Sequence, residues 1–313
     1  MKLIKDIENI RLRNSVVTVG TFDGLHLGHQ KIIETLCQRA KETGSEASVF
    51  TFWPHPRFVL GKIDGLELLN TFEEKVELFE KNGIDNLVSY EFTKEFANLS
   101  SREFVKEILV EKLNVKHLIL GYDHHFGKNR EGRFDKLKEC ADEFGFKIER
   151  VSALSQKDEN ISSTKIREAI KQGEIEKANS FLGYNYFIQG KIVKGSEIGR
   201  TIGFPTANIA VPKYKLLPKS GVYSVKIQVE NNNYIGMMNL GLRPTIGNFN
   251  TKTLEVHIID FDKDIYGKSI KIDIIKRIRN EKKFASINEL KLQLEKDKQG
   301  VVNDNLNFQI ESL

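Results

Sequence analysis

Cysteine is scarce: the 313 residues hold two, Cys37 and Cys140, far apart and outside any C-x-x-C pair. That excludes a disulfide framework and fits a reducing cytoplasm. Long hydrophobic runs are missing as well. No stretch approaches the ~18 apolar residues that cross a bilayer. The opening Met1-Lys2-Leu3-Ile4-Lys5-Asp6-Ile7-Glu8 lacks the apolar core and small-residue cleavage site of a secretory signal. A cytoplasmic chain without a membrane partner is expected. Neither charge sign dominates, since 48 basic and 43 acidic residues are interspersed to a net +5. Without a basic block, a nucleic-acid partner is not expected, and a mild positive excess also suits polyphosphate substrates. No G-x-x-x-x-G-K-[ST] occurs, which excludes a Walker-type loop. Internal repeats and low-complexity tracts are absent too.

What is present amounts to two domains. At 40% hydrophobic and 29% charged residues, the chain has apolar mass for more than one core. The first half alternates β-rich runs with helix-period segments. Val16-Val17-Thr18-Val19 stops at Gly20, and a helix is predicted over residues 28–43, with Ile32, Ile33, Leu36, Cys37 and Ala40 on one face and Gly44 beyond its end. Residues 47–52 and 115–120 read as strands, the second ending at Gly121, and helices are predicted over 73–81 and 101–113. Such alternation predicts an α/β domain with a parallel, doubly wound sheet, whose ligands bind beyond the carboxyl ends of strands, where Gly20 and Gly121 fall.

From Gly183-Tyr184 to about Arg279 the pattern becomes short alternating strands split by turns. Residues 223–229, 253–259 and 270–275 alternate, and Asn231-Asn232-Asn233 reads as a turn. This predicts an antiparallel β barrel or sandwich. A closing helix is expected, with Ser286 and Glu289 as a capping box and Ile287, Leu290 and Leu294 on one face. The boundary is placed between residues 183 and 184.

Two constellations carry chemistry. After the first strand comes Gly20-Thr21-Phe22-Asp23-Gly24-Leu25-His26-Leu27-Gly28-His29. Its glycines permit close approach of the backbone to a ligand, and the following helix offers N–H groups to an anion. His26 and His29, three apart, can donate to phosphate oxygens as charge develops. Ile161-Ser162-Ser163-Thr164-Lys165-Ile166-Arg167 adds hydroxyls and cations at another helix start. By itself it reads as a capped helix start with surface charge. Zinc is the alternative for His26, His29, His55, His124 and His125, but no H-E-x-x-H or thiolate pair accompanies them.

The second constellation is Gly190-Lys191-Ile192-Val193-Lys194-Gly195, followed by Gly199-Arg200-Thr201-Ile202-Gly203-Phe204-Pro205-Thr206-Ala207-Asn208. Backbone N–H groups there can cradle phosphates, and Thr206 and Asn208 offer the oxygen donors that Mg²⁺ shared with ATP requires. An ordinary glycine-rich hairpin fits the same residues. Glu255 lies in a strand between Leu254 and Val256, where it can be a general base or a solvated surface carboxylate. Alternation does not choose the face.

In order along the chain, these pieces resemble the bacterial bifunctional riboflavin kinase/FAD synthetases. The resemblance includes Phe52-Trp53-Pro54-His55-Pro56, Gly241-Leu242-Arg243-Pro244-Thr245, Leu254-Glu255-Val256-His257 and Arg277-Ile278-Arg279-Asn280-Glu281-Lys282-Lys283-Phe284. Gly-Phe-Pro-Thr-Ala-Asn is the most telling element. It implies a Rossmann-like FMN adenylyltransferase over 1–183 and a six-stranded flavokinase barrel, closed by a C-terminal helix, over 184–313. ATP for adenylyl transfer would meet Gly20, Phe22, Asp23, Gly24, His26, His29, Asp123, Ser163, Thr164 and Arg167. ATP for the kinase would meet Gly190, Lys191, Val193, Gly195, Gly203, Pro205, Thr206 and Asn208, with Mg²⁺ on Thr206 and Asn208. Glu255 would be the base for the ribityl hydroxyl. Flavin contacts would come from Phe52, Pro54, His55, Pro56, Phe126, Arg243 and Arg279. Riboflavin, FMN, FAD and ATP are the implied small molecules.

The chain departs from the family at Asp123-His124-His125-Phe126-Gly127, where His124 replaces an aromatic residue. Three alternatives remain open from sequence: another nucleotidyl acceptor in the first domain, an RNA-binding protein sharing H-x-G-H with class I aminoacyl-tRNA synthetases, and a flavin sensor with one silent domain.

Overall fold

The computed structural model describes the chain apart from residues 9, 62–64, 123–133, 157–158, 196–197, 245–249 and 311–313, and apart from the side chains of 155–156, 198, 242–244, 250–251 and 305–310. Two compact units emerge, Met1–Ser163 and Thr164–Leu313.

The first unit is built on six strands: β1 (Lys2–Ile4), β2 (Ser15–Val19), β3 (Glu46–Phe52), β4 (Asn86–Tyr90), β5 (Val115–Leu120) and β6 (Lys147–Arg150). They lie in the order β1-β4-β3-β2-β5-β6, and every pair is parallel. β2 stands between β3 and β5, so strand order reverses there, the point at which open parallel sheets bind ligands beyond the carboxyl ends of their strands, in the segments that follow them. Gly20 and Gly121 are the first residues of those segments. β2 is buried along its whole length, as its unbroken apolar run predicts for a strand covered on both faces.

The helices of this unit follow their sequence signals. α1 (Leu27–Thr43) starts at His26 and ends at Gly44, whose left-handed backbone lets its N–H reach the carbonyls of Ala40 and Lys41. It buries Ile33, Leu36 and Ala40, while Cys37 is half-buried. α2 (Pro56–Val59) is one short turn. α3 (Phe72–Lys81) opens with a complete capping box between Thr71 and Glu74 and buries Phe72, Lys75, Leu78 and Phe79 along one stripe. The sequence predicts a single α-helix over 101–113. Instead α4 (Ser101–Glu103) widens into π-helical turns over Phe104–Lys112. Residues five apart, Phe104 with Leu109 and Ile108 with Leu113, thereby all reach the core. α5 (Phe134–Phe144) buries Leu137, Cys140 and Ala141, and β7 (Ser155–Gln156) and β8 (Glu159–Asn160) form a short antiparallel pair.

α6 (Ser163–Gln172) begins at the division between the units, and α7 (Ile175–Leu182) follows. These two helices precede the change of pattern at residues 183–184, yet they bond to residues beyond it. Lys219 N–H donates to the Ile170 carbonyl, and the Asn179 amide donates to the Ile274 carbonyl at 2.9 Å.

The second unit is a closed antiparallel barrel of β9 (Phe187–Val193), β10 (Ala207–Ala210), β11 (Gly221–Val229), β12 (Asn232–Pro244), β13 (Asn250–Ile258) and β14 (Ser269–Arg279). Its order is β10-β13-β12-β11-β14-β9, with β9 returning to β10. Closure removes free sheet edges. The β11–β12 hairpin turns on Glu230 and Asn231, both at positive φ (49° and 64°), and pairs Val229 with Asn232. That is a two-residue turn one position earlier than the asparagine triplet suggests. α8 (Ile198–Thr201) is a single turn between β9 and β10.

The closing helix, α9 (Ile287–Ile310), shows half of the expected capping box: Glu289 N–H donates to Ser286 Oγ at 3.2 Å, while the Glu289 carboxylate accepts the Ala285 N–H instead of that of Ser286. Its packed face differs from the prediction. Ile287 is 67% exposed, whereas Asp297 and Val301 are buried. The stripe that covers the barrel begins about two turns after Ile287, at Leu294, which packs with Val301 against Phe204, Val222 and Met237.

Candidate functional site

In the first unit, the segment after β2 is clasped to the start of α3. The buried carboxylate of Asp23 accepts the Leu69 and Asn70 N–H groups at 3.0 and 3.3 Å. Asn70 Oδ1 accepts the Gly24 N–H at 2.9 Å, and Lys75 Nζ donates to the Thr21 carbonyl at 2.8 Å. Ser163 Oγ donates to the Asp23 carbonyl at 2.8 Å, so the later hydroxyl motif also meets this loop. These bonds hold two non-glycine residues, Phe22 and Leu25, at positive φ (47° and 34°). Such conformations cost energy and persist where surrounding bonds impose them.

The two histidines meet on that loop. His26 caps α1, its Nδ1 accepting the His29 N–H at a long 3.4 Å. An accepting Nδ1 carries no proton, so neutral His26 bears its N–H on Nε2, the nitrogen that does not cap the helix. The rings stack with centroids 3.7 Å apart and 15° between planes. A side chain at Gly28 would press on the His26 ring, its Cβ lying 3.2 Å from Cε1 and Nδ1. Burial first, then His26, then Lys75, push His29 well below the ordinary imidazole range. Its Nδ1 is buried without a hydrogen-bond partner, and so is Asn70 Nδ2. Phe22 touches the His29 ring edge-on at 5.3 Å and Phe79 at 5.6 Å, so it supports the histidine from within the core.

Among the expected flavin contacts, Phe52 lies at the end of β3 with its ring 5.3 Å from that of Phe92, and His55 caps α2. Pro54 is exposed and Pro56 half-buried. Asp123, His124 and Phe126 lie outside the described residues, as does the side chain of Arg243. Thr164, exposed, and Arg167, half-buried, sit on α6 within the second unit.

In the barrel, strand register shows which residues share a face with Glu255. Asn208 of β10 stands opposite Glu255 of β13, which stands opposite Asn239 of β12. Directly paired residues share a face, so these three side chains form a polar row across three strands. The flanking Leu254 and Val256 point the other way and are buried. Two residues along the same face, His257 Nδ1 bonds the Pro205 carbonyl at 2.8 Å, tying the turn that carries Thr206 to the strand that carries Glu255. Burial lowers the His257 pKa, with the Pro205 carbonyl opposing. A Cβ at Gly195 would fall 1.9 Å from Asn208 Nδ2, so any side chain there would displace the Asn208 amide. Val193 pairs with Asn208, while Lys191 pairs with Ala210 one step along the ladder and Gly190 lies against β10. Arg279 does not stand open to a ligand. Its guanidinium is paired with the buried Asp297 of α9 at 2.8 Å.

A family profile described as FAD synthetase matches residues 8–165, and one described as riboflavin kinase matches residues 182–303. A bifunctional riboflavin kinase/FMN adenylyltransferase of Bacillus subtilis is 41% identical over 293 residues, covering 92% of each chain. Its namesake in Escherichia coli K12 is 36% identical over 301 residues, covering 95% of this chain and 96% of the other. The chain belongs to the bifunctional riboflavin kinase/FMN adenylyltransferase family.

A crystal structure described as a macrolide-efflux protein from Streptococcus pneumoniae has the same fold, with a TM-score of 0.88 at 30% identity over 96% of this chain and 98% of that one. Among the described residues here, no helix is long and apolar enough to cross a membrane.

Within this family's architecture, the structure adds Asn70, Lys75 and Asn239, which no motif contained, and gives a bond to His257, which one did. Asn70 and Lys75 hold the glycine loop, His257 holds the Pro205 turn, and Asn239 completes the polar row. Lys75 had a visible signal: it lies three residues after Phe72 and three before Leu78, on the apolar stripe of α3. Asn239 had none, because its partner is set by register between distant strands.

Proposed function

We propose that the chain makes FAD from riboflavin in two ATP-dependent steps, with the barrel phosphorylating riboflavin to FMN and the first unit adenylylating FMN with release of pyrophosphate. The observation that carries this reading is the pairing, within one chain, of a stacked histidine pair at the strand-order reversal with a carboxylate set opposite Asn208.

In the barrel, Glu255 takes the proton of the ribityl 5′-hydroxyl, which attacks the γ-phosphate of ATP. It lies half-buried in register with the amides of Asn208 and Asn239. The Gly190–Gly195 segment and the Pro205–Asn208 turn hold the phosphates. Thr206 and Asn208 fit Mg²⁺, since they offer only oxygen ligands next to a carboxylate and the Asn208 amide is held over Gly195. Bound there, Mg²⁺ neutralises phosphate charge.

In the first unit, the FMN phosphate attacks the α-phosphate of ATP. That nucleophile is already anionic, so no base is required, and the residues need only align and neutralise. His26 Nε2–H and the His29 ring donate to phosphate oxygens. The orphaned nitrogens of His29 and Asn70 fit a ligand rich in acceptors.

Chromatographic separation of the flavins formed from riboflavin, ATP and Mg²⁺ tests the reading. FMN appearing and then giving way to FAD is the expected course. Folded protein that makes neither from oxidised or reduced flavin rules it out.

A further inference from the structure

Lys75 is an oddity of the first unit. Its side chain is 2% exposed on the apolar stripe of α3, a place where lysine is rarely found. The ammonium lies 5.7 Å from the centre of the Trp53 ring and donates to the Thr21 carbonyl at 2.8 Å. Thr21 is the second residue of the glycine loop, and the next residue, Phe22, carries the strained backbone that sets its ring against His29. The negative charge that acts on it is Asp23, whose oxygens are engaged by the N–H groups of Leu69 and Asn70. A buried cation so placed contributes fixed positive potential next to His29, which senses it.

We propose that Lys75 is a positioning residue for adenylyl transfer: its buried ammonium pins the glycine loop through the Thr21 carbonyl and supplies a standing positive charge behind the histidine pair, where the triphosphate docks. This rests on the adenylyltransferase reading of the first unit. The lysine acts through the loop and through the local potential, without touching the reacting atoms.

A purely structural lysine and a positioning lysine predict different outcomes. Burial opposes the charge and lowers the pKa to about 8, so an apolar replacement of similar length relieves the fold. The charged groups around it are Asp23, His26 and His29 on the loop and Glu74 on its own helix. The test uses the full chain and follows three quantities for Lys75→Met and Lys75→Arg: FAD formed from supplied FMN, FMN formed from riboflavin, and the melting temperature. For Lys75→Met, kcat/KM for ATP in the FAD reaction is expected to fall tenfold or more, with FMN formation and melting temperature undiminished. In the unsubstituted chain that kcat/KM declines as pH rises through about 8. Lys75→Met loses this limb, and Lys75→Arg moves it upward while recovering part of the rate. A Lys75→Met chain with an undiminished FAD rate overturns the proposal. So does a rate loss matched by a lower melting temperature and unrelieved by arginine. If the unsubstituted chain makes no FAD, the adenylyltransferase reading fails first.

Discussion

The two units bury charge in opposite ways. In the barrel, Arg279 and Asp297 form a hydrogen-bonded ion pair under α9, and Gln293 satisfies the remaining Asp297 oxygen at 2.9 Å. In the first unit, Lys75 is buried against a carbonyl and an aromatic ring, and the carboxylate that acts on it is committed to backbone N–H groups. Paired burial holds a helix to a sheet. Burial against neutral partners keeps a charge at some expense to the fold, on the order of 3 kcal/mol for a lysine brought down to about 8. The sign is that of a depressed base: the unfolded chain binds the proton more tightly between pH 8 and 10.5, so stability rises over that window and the penalty is constant below it. Such an arrangement is more readily understood as serving a site than as serving stability.

The same contrast runs through the chemistry. One step starts from a neutral hydroxyl and needs a base; the other starts from a phosphate anion and needs only alignment. Exchanging the key residues should therefore separate the activities completely. Glu255→Gln is expected to cut FMN formation by about 10²–10⁴-fold while FAD formation from supplied FMN is unchanged. His29→Ala is expected to do the reverse. Parallel assays of both reactions on each variant check this, and a variant that loses both while folded breaks the assignment of one reaction to each unit.

How much of this was legible in the sequence depends on the range of the interaction. Local signals were read directly: β5 runs over Val115–Leu120 as predicted, and the α1 terminus lies at Gly44. Period told the parallel unit from the antiparallel one, because strands covered on both faces read as continuous apolar runs and barrel strands alternate. Long-range pairing was not legible. Nothing near Glu255 reveals that Asn208 lies opposite it, and nothing near Arg279 names Asp297. A partial signal did exist for the buried charges. Lys75 and Asp297 both occupy the apolar stripe of a helix, and a charge at that position announces burial without naming its partner.

The ion pair gives the next largest effect. Asp297→Ala leaves the Arg279 guanidinium, whose side chain is 19% exposed, without its counter-charge, and is expected to destabilise the barrel by about 3–5 kcal/mol. Calorimetry or loss of riboflavin phosphorylation on heating would report it. The double change Arg279→Met with Asp297→Leu is expected to recover most of that loss, since an apolar pair needs no desolvation. If Asp297→Ala melts like the unsubstituted chain, the paired charges do not hold α9, and the contrast with Lys75 disappears.

The smallest effect is a titration. Burial holds His29 well below the ordinary imidazole value near 6.5, with His26 and Lys75 adding to the shift. The unfolded chain then binds more protons than the folded one below that pH, so stability falls as pH drops from 6.5 toward the folded value and stays lost beneath it. Each unit of depression corresponds to about 1.4 kcal/mol. His257 shifts in the same direction, through burial in the other unit. Melting temperatures measured from pH 7 down to pH 5 are expected to decline, and His29→Gln should flatten the decline arising in the first unit by a few degrees while leaving the contribution of His257. An unchanged slope in that variant would mean that His29 protonates as easily in the folded chain as in the unfolded one. The stacked pair would then carry positive charge before any phosphate arrives, and its donors would attract the triphosphate by charge instead of by hydrogen bonding alone.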